Sequence, residues 1–190
     1  MRIIEPCCIH KQLTELIDEL DGQKRECAHF FSFSDWDVKD LLLFLRNYVC
    51  GGELYISMIT LDVPLITTIQ KLLAATYIDG ADKSKEIPYI GKMVLLVQPV
   101  LCTSGNILSG EIHSQLGRYI RDGRLVFCED NIGFRCIALR GPEHSLVFQG
   151  SLNKERSGAM QMVTLTNGER TFGEVREMFR MKENSKRVME

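Results

Sequence analysis

Residues 134–153, FRCIALRGPEHSLVFQGSLN, carry the most informative pattern in this chain. Two apolar runs, 134–139 and 145–149, have the length and composition of short neighbouring strands joined by a turn. The second run ends in Gly150-Ser151-Leu152-Asn153, a G-S-x-N tetrapeptide. A third apolar run at 160–166 and an amphipathic stretch follow, so the pattern predicts three adjacent strands and then a helix.

The G-S-x-N tetrapeptide at the end of a strand resembles the phospholipase D superfamily, whose signature is H-x-K-x4-D-x6-G-S-x-N. Counting back from Gly150 aligns the family's His with Cys136, its Lys with Ala138 and its Asp with Glu143. The spacing of the signature and its G-S-x-N end, which we call the frame, are therefore present in this chain. The residues at the positions of the family's His, Lys and Asp are all of different types. The resemblance implies a phospholipase D-like α/β fold, in which a mixed, mostly parallel β-sheet is flanked by helices on both faces.

In that family the His attacks phosphorus, and Lys, Ser and Asn hold the phosphoryl oxygens. A phosphodiester transition state carries spread negative charge, so it needs fixed donors and a nucleophile that is basic near neutral pH. Ala138 offers neither, and Cys136 stands among apolar neighbours, where we expect a buried, protonated thiol. Gly150, Ser151 and Asn153 remain as residual phosphate-binding residues, although Ser and Asn also satisfy backbone groups in turns.

Three hypotheses follow from this frame. The preferred one is a catalytically degenerate, non-enzymatic binding or assembly module that contacts a phosphodiester such as nucleic acid. The alternative is an active phosphodiesterase or nuclease that uses Cys136 or His144 as a non-standard nucleophile. The third is an interaction scaffold without phosphate affinity. Family members with one motif per chain build their cleft from two copies, so the resemblance also implies a homodimer, and we expect no cofactor.

The composition is that of an ordinary globular chain, with 45% hydrophobic and 25% charged residues among 190. A net charge of -2 and a pI near 6.1 give no overall attraction to nucleic acid or to anionic membranes. The sequence contains neither 18 consecutive apolar residues nor the pattern of a signal peptide, so we expect a cytoplasmic protein without membrane contact. Seven scattered cysteines fit reduced thiols better than a disulfide framework.

Two small groups of residues have side chains that bind metals. Cys7, Cys8 and His10 form one group, and Cys27 with His29 forms the other. Neither group has the C-x2-4-C or H-x3-5-H spacing of structural zinc sites, so we predict no metal site.

The periodicity of the remaining chain predicts alternating helices and strands. The predicted helices lie at about 13–20, 41–48, 64–77, 107–121 and from a cap at Thr171 onward, with a further capping box at Ser34 and Asp37. The predicted strands outside the motif lie at 53–59, 93–97 and 124–128, and the segments 23–33 and 79–92 are predicted as connections. The organisation expected is an N-terminal helix over 1–24 packing on a domain over 25–181, followed by a charged tail over 182–190.

Overall fold

The computed structural model describes residues 2–4, 9–23, 27–32, 38–58, 61–79, 82–98, 110–129, 134–150 and 161–187. The strands in these ranges are β1 (Arg2–Ile4), β2 (Cys27–Ser32), β3 (Gly52–Met58), β4 (Thr76–Asp79), β5 (Asp82–Pro88), β6 (Ile90–Val97), β7 (Leu125–Glu129), β8 (Cys136–Arg140), β9 (Ser145–Gly150) and β10 (Gln161–Asn167). The α-helices are α1 (Ile9–Gln23), α2 (Val38–Val49), α3 (Val63–Ala74), α4 (Gly117–Arg121) and α5 (Glu169–Arg187), and a π-helical turn, Ile112–Leu116, precedes α4.

Eight of the strands form one sheet in the order β1-β2-β10-β9-β8-β3-β6-β7. The pairs β1–β2, β3–β6 and β6–β7 are parallel, and the other four pairs are antiparallel. Six strands therefore run in one direction, while β8 and β10 run in the other. This arrangement confirms the predicted mixed, mostly parallel sheet.

The two faces of the sheet are covered by different helices. Side chains alternate along each strand, so Ile137 and Leu139 of β8 enter a core with α1, α2 and α3, whereas Cys136 and Ala138 face the opposite way. On that opposite face α5 packs with Phe172, Val175 and Phe179. The expected placement of helices on both faces is confirmed.

The helix predicted over 64–77 ends earlier than its pattern indicates. The Asp62 side chain accepts a hydrogen bond from the Leu65 amide at 2.8 Å, and Pro64 occupies the first turn, so α3 begins as expected. It stops at Ala74 because Thr76 starts β4, which forms a hairpin with β5. The segment 79–92, predicted as a connection, thus contains a strand, and the Tyr77 and Tyr89 rings pack at its base, 5.0 Å apart.

The segment 23–33 was predicted as a connection and instead contains β2. Buried and exposed side chains alternate over only a few residues of β2: Phe30 is fully buried, whereas Cys27 and His29 are exposed. Pairing with β10 on one side and with β1 on the other stabilises β2. The sequence of the segment 23–33 by itself does not reveal these partners. Ser34 and Asp37, the predicted capping box, lie outside the described residues.

The last helix begins at Glu169, so Thr171 lies inside the first turn and is not its cap. Instead, the Gly168 amide donates to the Ser145 carbonyl at 2.9 Å, and the Phe172 amide donates to the Gly168 carbonyl. The helix continues to Arg187, so most of the segment predicted as a charged tail from residue 182 is helical. The helix predicted over 107–121 is present from Gly110, and its π-helical turn was not anticipated.

Candidate functional site

The candidate site lies where β8 begins and β9 ends. Cys136 stands opposite Gln149 in the β8–β9 ladder, and the Gly150 amide donates to the Arg135 carbonyl at 3.4 Å. The two ends of the aligned motif, Cys136 and Gly150, are therefore neighbours in space. Ser151 and Asn153 lie outside the described residues.

Cys136 and Ala138 are both 0% exposed and lie beneath α5. Tyr55 on the adjacent β3 stands opposite Ala138, and its ring makes edge contacts with Phe172 at 5.7 Å and Phe179 at 5.3 Å. Such edge-to-face packing is typical of a close-packed core. The positions that align with the family's His and Lys are thus part of the hydrophobic core.

The beginning of α5 is fixed over this face by polar contacts. The Glu169 carboxylate accepts a hydrogen bond from the Ser145 hydroxyl at 2.8 Å and pairs with the Arg140 guanidinium at 3.1 Å. The helix is therefore anchored both by its apolar stripe and at its first turn.

The Tyr55 hydroxyl, on β3 beneath this helix, donates to Glu53 of the same strand at 3.1 Å. Burial together with this carboxylate raises the pKa of Tyr55.

The chemistry of Cys136 follows from its burial. Removal from water disfavours the thiolate, and the pKa of Cys136 rises to about 12. At neutral pH almost none of this thiol is ionised, and the uncharged thiol is a poor nucleophile. The geometry and the protonation state both argue against Cys136 as a replacement for the family's His.

Glu143 and His144 lie at the opposite end of β8. Arg140 lies four positions after Cys136 along β8, which corresponds to roughly 13 Å at the usual rise per residue. Glu143 is exposed in the turn, and the His144 ring packs edge-on against Tyr48, with centroids 5.3 Å apart. The structure therefore does not bring Glu143 or His144 to Cys136 and Gly150.

His144 takes part in a polar cluster between the β8–β9 turn and α1. Its Nδ1 atom lies 3.4 Å from an Asp21 carboxylate oxygen, a contact that does not have the geometry of a hydrogen bond. Asp21 also accepts a hydrogen bond from the Asn167 side-chain amide, whose oxygen accepts from the Ser145 amide. This cluster connects the end of α1 to β10 and to the turn, which is a structural role.

Gly150 has a structural explanation of its own. Its φ is +135°, and a Cβ at this position would overlap the carbonyl oxygen of Met162 on β10. Only glycine adopts this backbone conformation without strain. The first residue of the G-S-x-N tetrapeptide is therefore required by the close approach of two strands, whatever else it does.

Three basic side chains from the second half of the chain are engaged in local contacts. Arg118 pairs with Asp122 at 4.0 Å, Arg140 pairs with Glu169, and Arg124 donates to the carbonyls of Leu73 and Ile90 at 2.9 and 2.7 Å. These three side chains therefore do not form a basic patch.

Sequence patterns missed one residue beside the candidate site. Ser57 is 2% exposed on β3 opposite Cys136, and its hydroxyl donates to the Phe134 carbonyl at 2.7 Å. This bond fixes the backbone just before β8. The only sequence signal is a serine in the apolar run LYISM, which by itself is uninformative.

Within the described ranges, His, Cys, Asp and Glu side chains do not gather in a group of three or more that could hold a metal ion. His10 stacks on Phe44 with ring centroids 5.2 Å apart, and Cys7 and Cys8 lie outside the described residues. Of the helices in the described part, none is sufficiently long and apolar to cross a bilayer.

Several solved structures resemble this chain, among them the following three. TrmBL2, an archaeal chromatin protein whose structure shows a novel mode of DNA binding, is 14% identical with a TM-score of 0.48, and the match covers 92% of this chain and 61% of TrmBL2. NucT from Helicobacter pylori is 12% identical with a TM-score of 0.48, and the match covers 84% of this chain and 98% of NucT. Nuc from Salmonella typhimurium, a phospholipase D family member, is 12% identical with a TM-score of 0.49, and the match covers 84% of this chain and 95% of Nuc.

No family model and no curated protein matches the sequence. The three structural likenesses have TM-scores below 0.5 and identities of 14% or less. The resemblance to the phospholipase D superfamily therefore rests on residues 134–153 and on the spatial adjacency of Cys136 and Gly150.

Proposed function

We propose that this protein is a non-enzymatic binding or assembly module on a phospholipase D-like frame, and that it contacts a phosphodiester such as a nucleic acid backbone. The observation that supports the non-enzymatic part is the complete burial of Cys136 and Ala138 under α5. A phosphodiester reaches neither position while the helix is in place. Without a basic nucleophile the attack on phosphorus does not begin, and without a cation the charge that develops on the phosphoryl oxygens has no fixed cationic partner.

The proposed phosphate contacts are the Gly150 backbone, the Ser151 hydroxyl and the Asn153 side-chain amide. Gly150 ends β9 at the edge of the sheet where β3, β6 and β7 also have their carboxyl ends. In open α/β sheets this edge is where ligands bind. Hydroxyl and amide groups are neutral donors that hold an anion without a basic patch, which agrees with the net charge of -2.

The proposal includes a homodimer, because one motif per chain supplies half of a cleft in the family that the motif resembles. A second copy of this chain carries the same Cys136 and Ala138, so pairing restores neither the nucleophile nor the cation. The dimer would act in binding and assembly. Sedimentation or light scattering across micromolar concentrations tests this part, and a monomer throughout that range contradicts it.

The binding experiment uses fluorescence anisotropy of labelled single-stranded and duplex DNA between 50 and 300 mM salt. We expect binding whose affinity falls only weakly with salt, because the proposed contacts are neutral donors. Each phosphate neutralised by Lys or Arg would instead add a slope of log K on log salt of about −0.7 on a single strand. The double variant Ser151→Ala/Asn153→Ala is expected to weaken binding at least tenfold, because one hydrogen bond to a charged group contributes about 1.5–3 kcal/mol. The matched control is Asn47→Ala, an exposed asparagine on α2, which should bind as the wild type does.

Two outcomes would contradict the phosphodiester proposal: DNA binding that the double variant leaves unchanged, and no binding at the lowest salt. Hydrolysis of bis(p-nitrophenyl) phosphate tests the non-enzymatic part. We expect no rate above buffer at pH 7. A rate that Cys136→Ser or His144→Gln abolishes would instead support the alternative, an active phosphodiesterase with one of these side chains as nucleophile.

A further inference from the structure

Cys27, His29 and Thr164 form a polar cluster on one face of β2 and β10. Phe30 and Val163, their neighbours in sequence, point into the core with α1, so the three side chains lie on the other face of the sheet. Cys27 and His29 are two positions apart on one strand, and Thr164 stands opposite His29 in the ladder. Both Cys27 and His29 are exposed.

The contacts in this cluster link a thiol, an imidazole and a hydroxyl in series. The Cys27 Sγ atom lies 4.0 Å from His29 Nε2, and His29 Nδ1 lies 2.9 Å from Thr164 Oγ1. When Nδ1 carries the proton and donates to Thr164, Nε2 presents its lone pair to the thiol. This is the arrangement of a nucleophile, a base and a group that orients the base.

We propose that Cys27 is a reactive thiol that exchanges with low-molecular-weight disulfides, with His29 as its base and Thr164 as the residue that positions His29. The thiol proton moves from Sγ to Nε2, and the thiolate attacks one sulfur of a disulfide such as oxidised glutathione. The disulfide bond breaks as the new S–S bond to Cys27 forms. The departing thiolate takes the proton from the imidazole, so Cys27 is oxidised and one molecule of the small thiol is released.

The other described cysteines have surroundings that favour an unreactive thiol. Cys136 is fully buried and Cys128 is 4% exposed. The Cys50 thiol donates to the Asn47 carbonyl at 3.1 Å, and burial together with the Glu143 carboxylate raises its pKa. Because thiolate character and access together govern attack on a disulfide, these thiols provide an internal comparison for Cys27.

The test incubates the reduced full-length protein with oxidised glutathione at pH 7 and locates the mixed disulfide by peptide mass spectrometry. We expect Cys27 to be modified first, at least tenfold faster than N-acetylcysteine under the same conditions. Cys27→Ser should abolish this fast reaction. His29→Gln, which retains a polar side chain at an exposed position, should slow it about tenfold.

The positioning role of Thr164 has its own readout. Thr164→Val is expected to slow modification of Cys27 several-fold, and Thr164→Ser, which keeps the hydroxyl, is expected to restore it. The matched control is Thr166→Val, the threonine opposite Cys27 on the same face, which should react as the wild type does. A Cys27 that reacts no faster than N-acetylcysteine, or that is unaffected by His29→Gln and His29→Ala, would overturn the proposal.

Discussion

Replacing Ala138 by lysine restores the residue type that the phospholipase D signature has at this position, and we expect it to unfold the protein or nearly so. Ala138 is 0% exposed, and Tyr55 and Val147 flank it in the ladder beneath α5. A lysine in this space must lose its proton or displace the helix. Deprotonating an ordinary lysine at pH 7 costs about 4.6 kcal/mol, and fitting the longer side chain adds about 1–3 kcal/mol.

The sum, about 6–8 kcal/mol, is comparable to the whole free energy of unfolding of a typical domain. Urea denaturation followed by circular dichroism at 222 nm measures it. The matched control is Gln149→Lys, an exposed position on the adjacent strand and on the same face, where we expect a change within about 0.5 kcal/mol. An Ala138→Lys protein within 1 kcal/mol of the wild type would show that α5 does not close this face.

Three further predictions concern the same region. The pKa of Cys136 is raised from its ordinary value of 9.0 to about 12, so the thiol ionises first in the unfolded chain and stability is lost as pH rises above 9. Between pH 8 and 10.5 the free energy of unfolding of the wild type, measured by urea titration, should fall by about 2 kcal/mol more than that of Cys136→Ala. Equal losses would contradict the burial of this thiol. Phe179→Ala removes the ring that packs against Tyr55 and Phe134, and it should lower the free energy of unfolding by about 3–5 kcal/mol. Phe179→Leu should lower it by less than half as much. A loss below about 1 kcal/mol for Phe179→Ala would mean that α5 is loosely packed. Gly150→Ala should lower the free energy of unfolding by about 1–3 kcal/mol, because the new Cβ meets the Met162 carbonyl in a backbone conformation that favours glycine. The melting temperature should fall accordingly, and an unchanged melting temperature would refute this explanation of Gly150.

The central part of the fold was predictable because its strands and helices have clear patterns of apolar residues within short segments. The apolar run at 93–97 predicted a strand, and β6 occupies it, lying between β3 and β7 and parallel to both. The two apolar runs at 134–139 and 145–149 predicted neighbouring strands joined by a turn, and the β8–β9 ladder brings Cys136 beside Gln149 and Gly150. A hairpin register depends on residues close in sequence, which explains this success.

The missed elements depend on contacts between distant residues. β2 has a short and weakly alternating sequence, and β1 and β10, which pair with it, are remote in the chain. The hairpin of β4 and β5 is polar and turn-rich, so its composition resembles a connection. The closure of the candidate site by α5 was equally hidden, since the stripe of Phe172, Val175 and Phe179 identifies an amphipathic helix and says nothing about which strand it covers.

The pairing of β2 with β10 has a consequence for biosynthesis. His29 and Thr164, joined across this ladder, are 135 positions apart. At translation rates of about 5–20 residues per second, β2 waits on the order of ten seconds or more for its antiparallel partner to leave the ribosome. During that interval the apolar stripe of α1, including Leu13 and Ile17, lacks part of the surface that covers it in the native state. Nascent chains stalled before residue 160 are therefore the form of this protein in which chaperone binding and aggregation should be most pronounced.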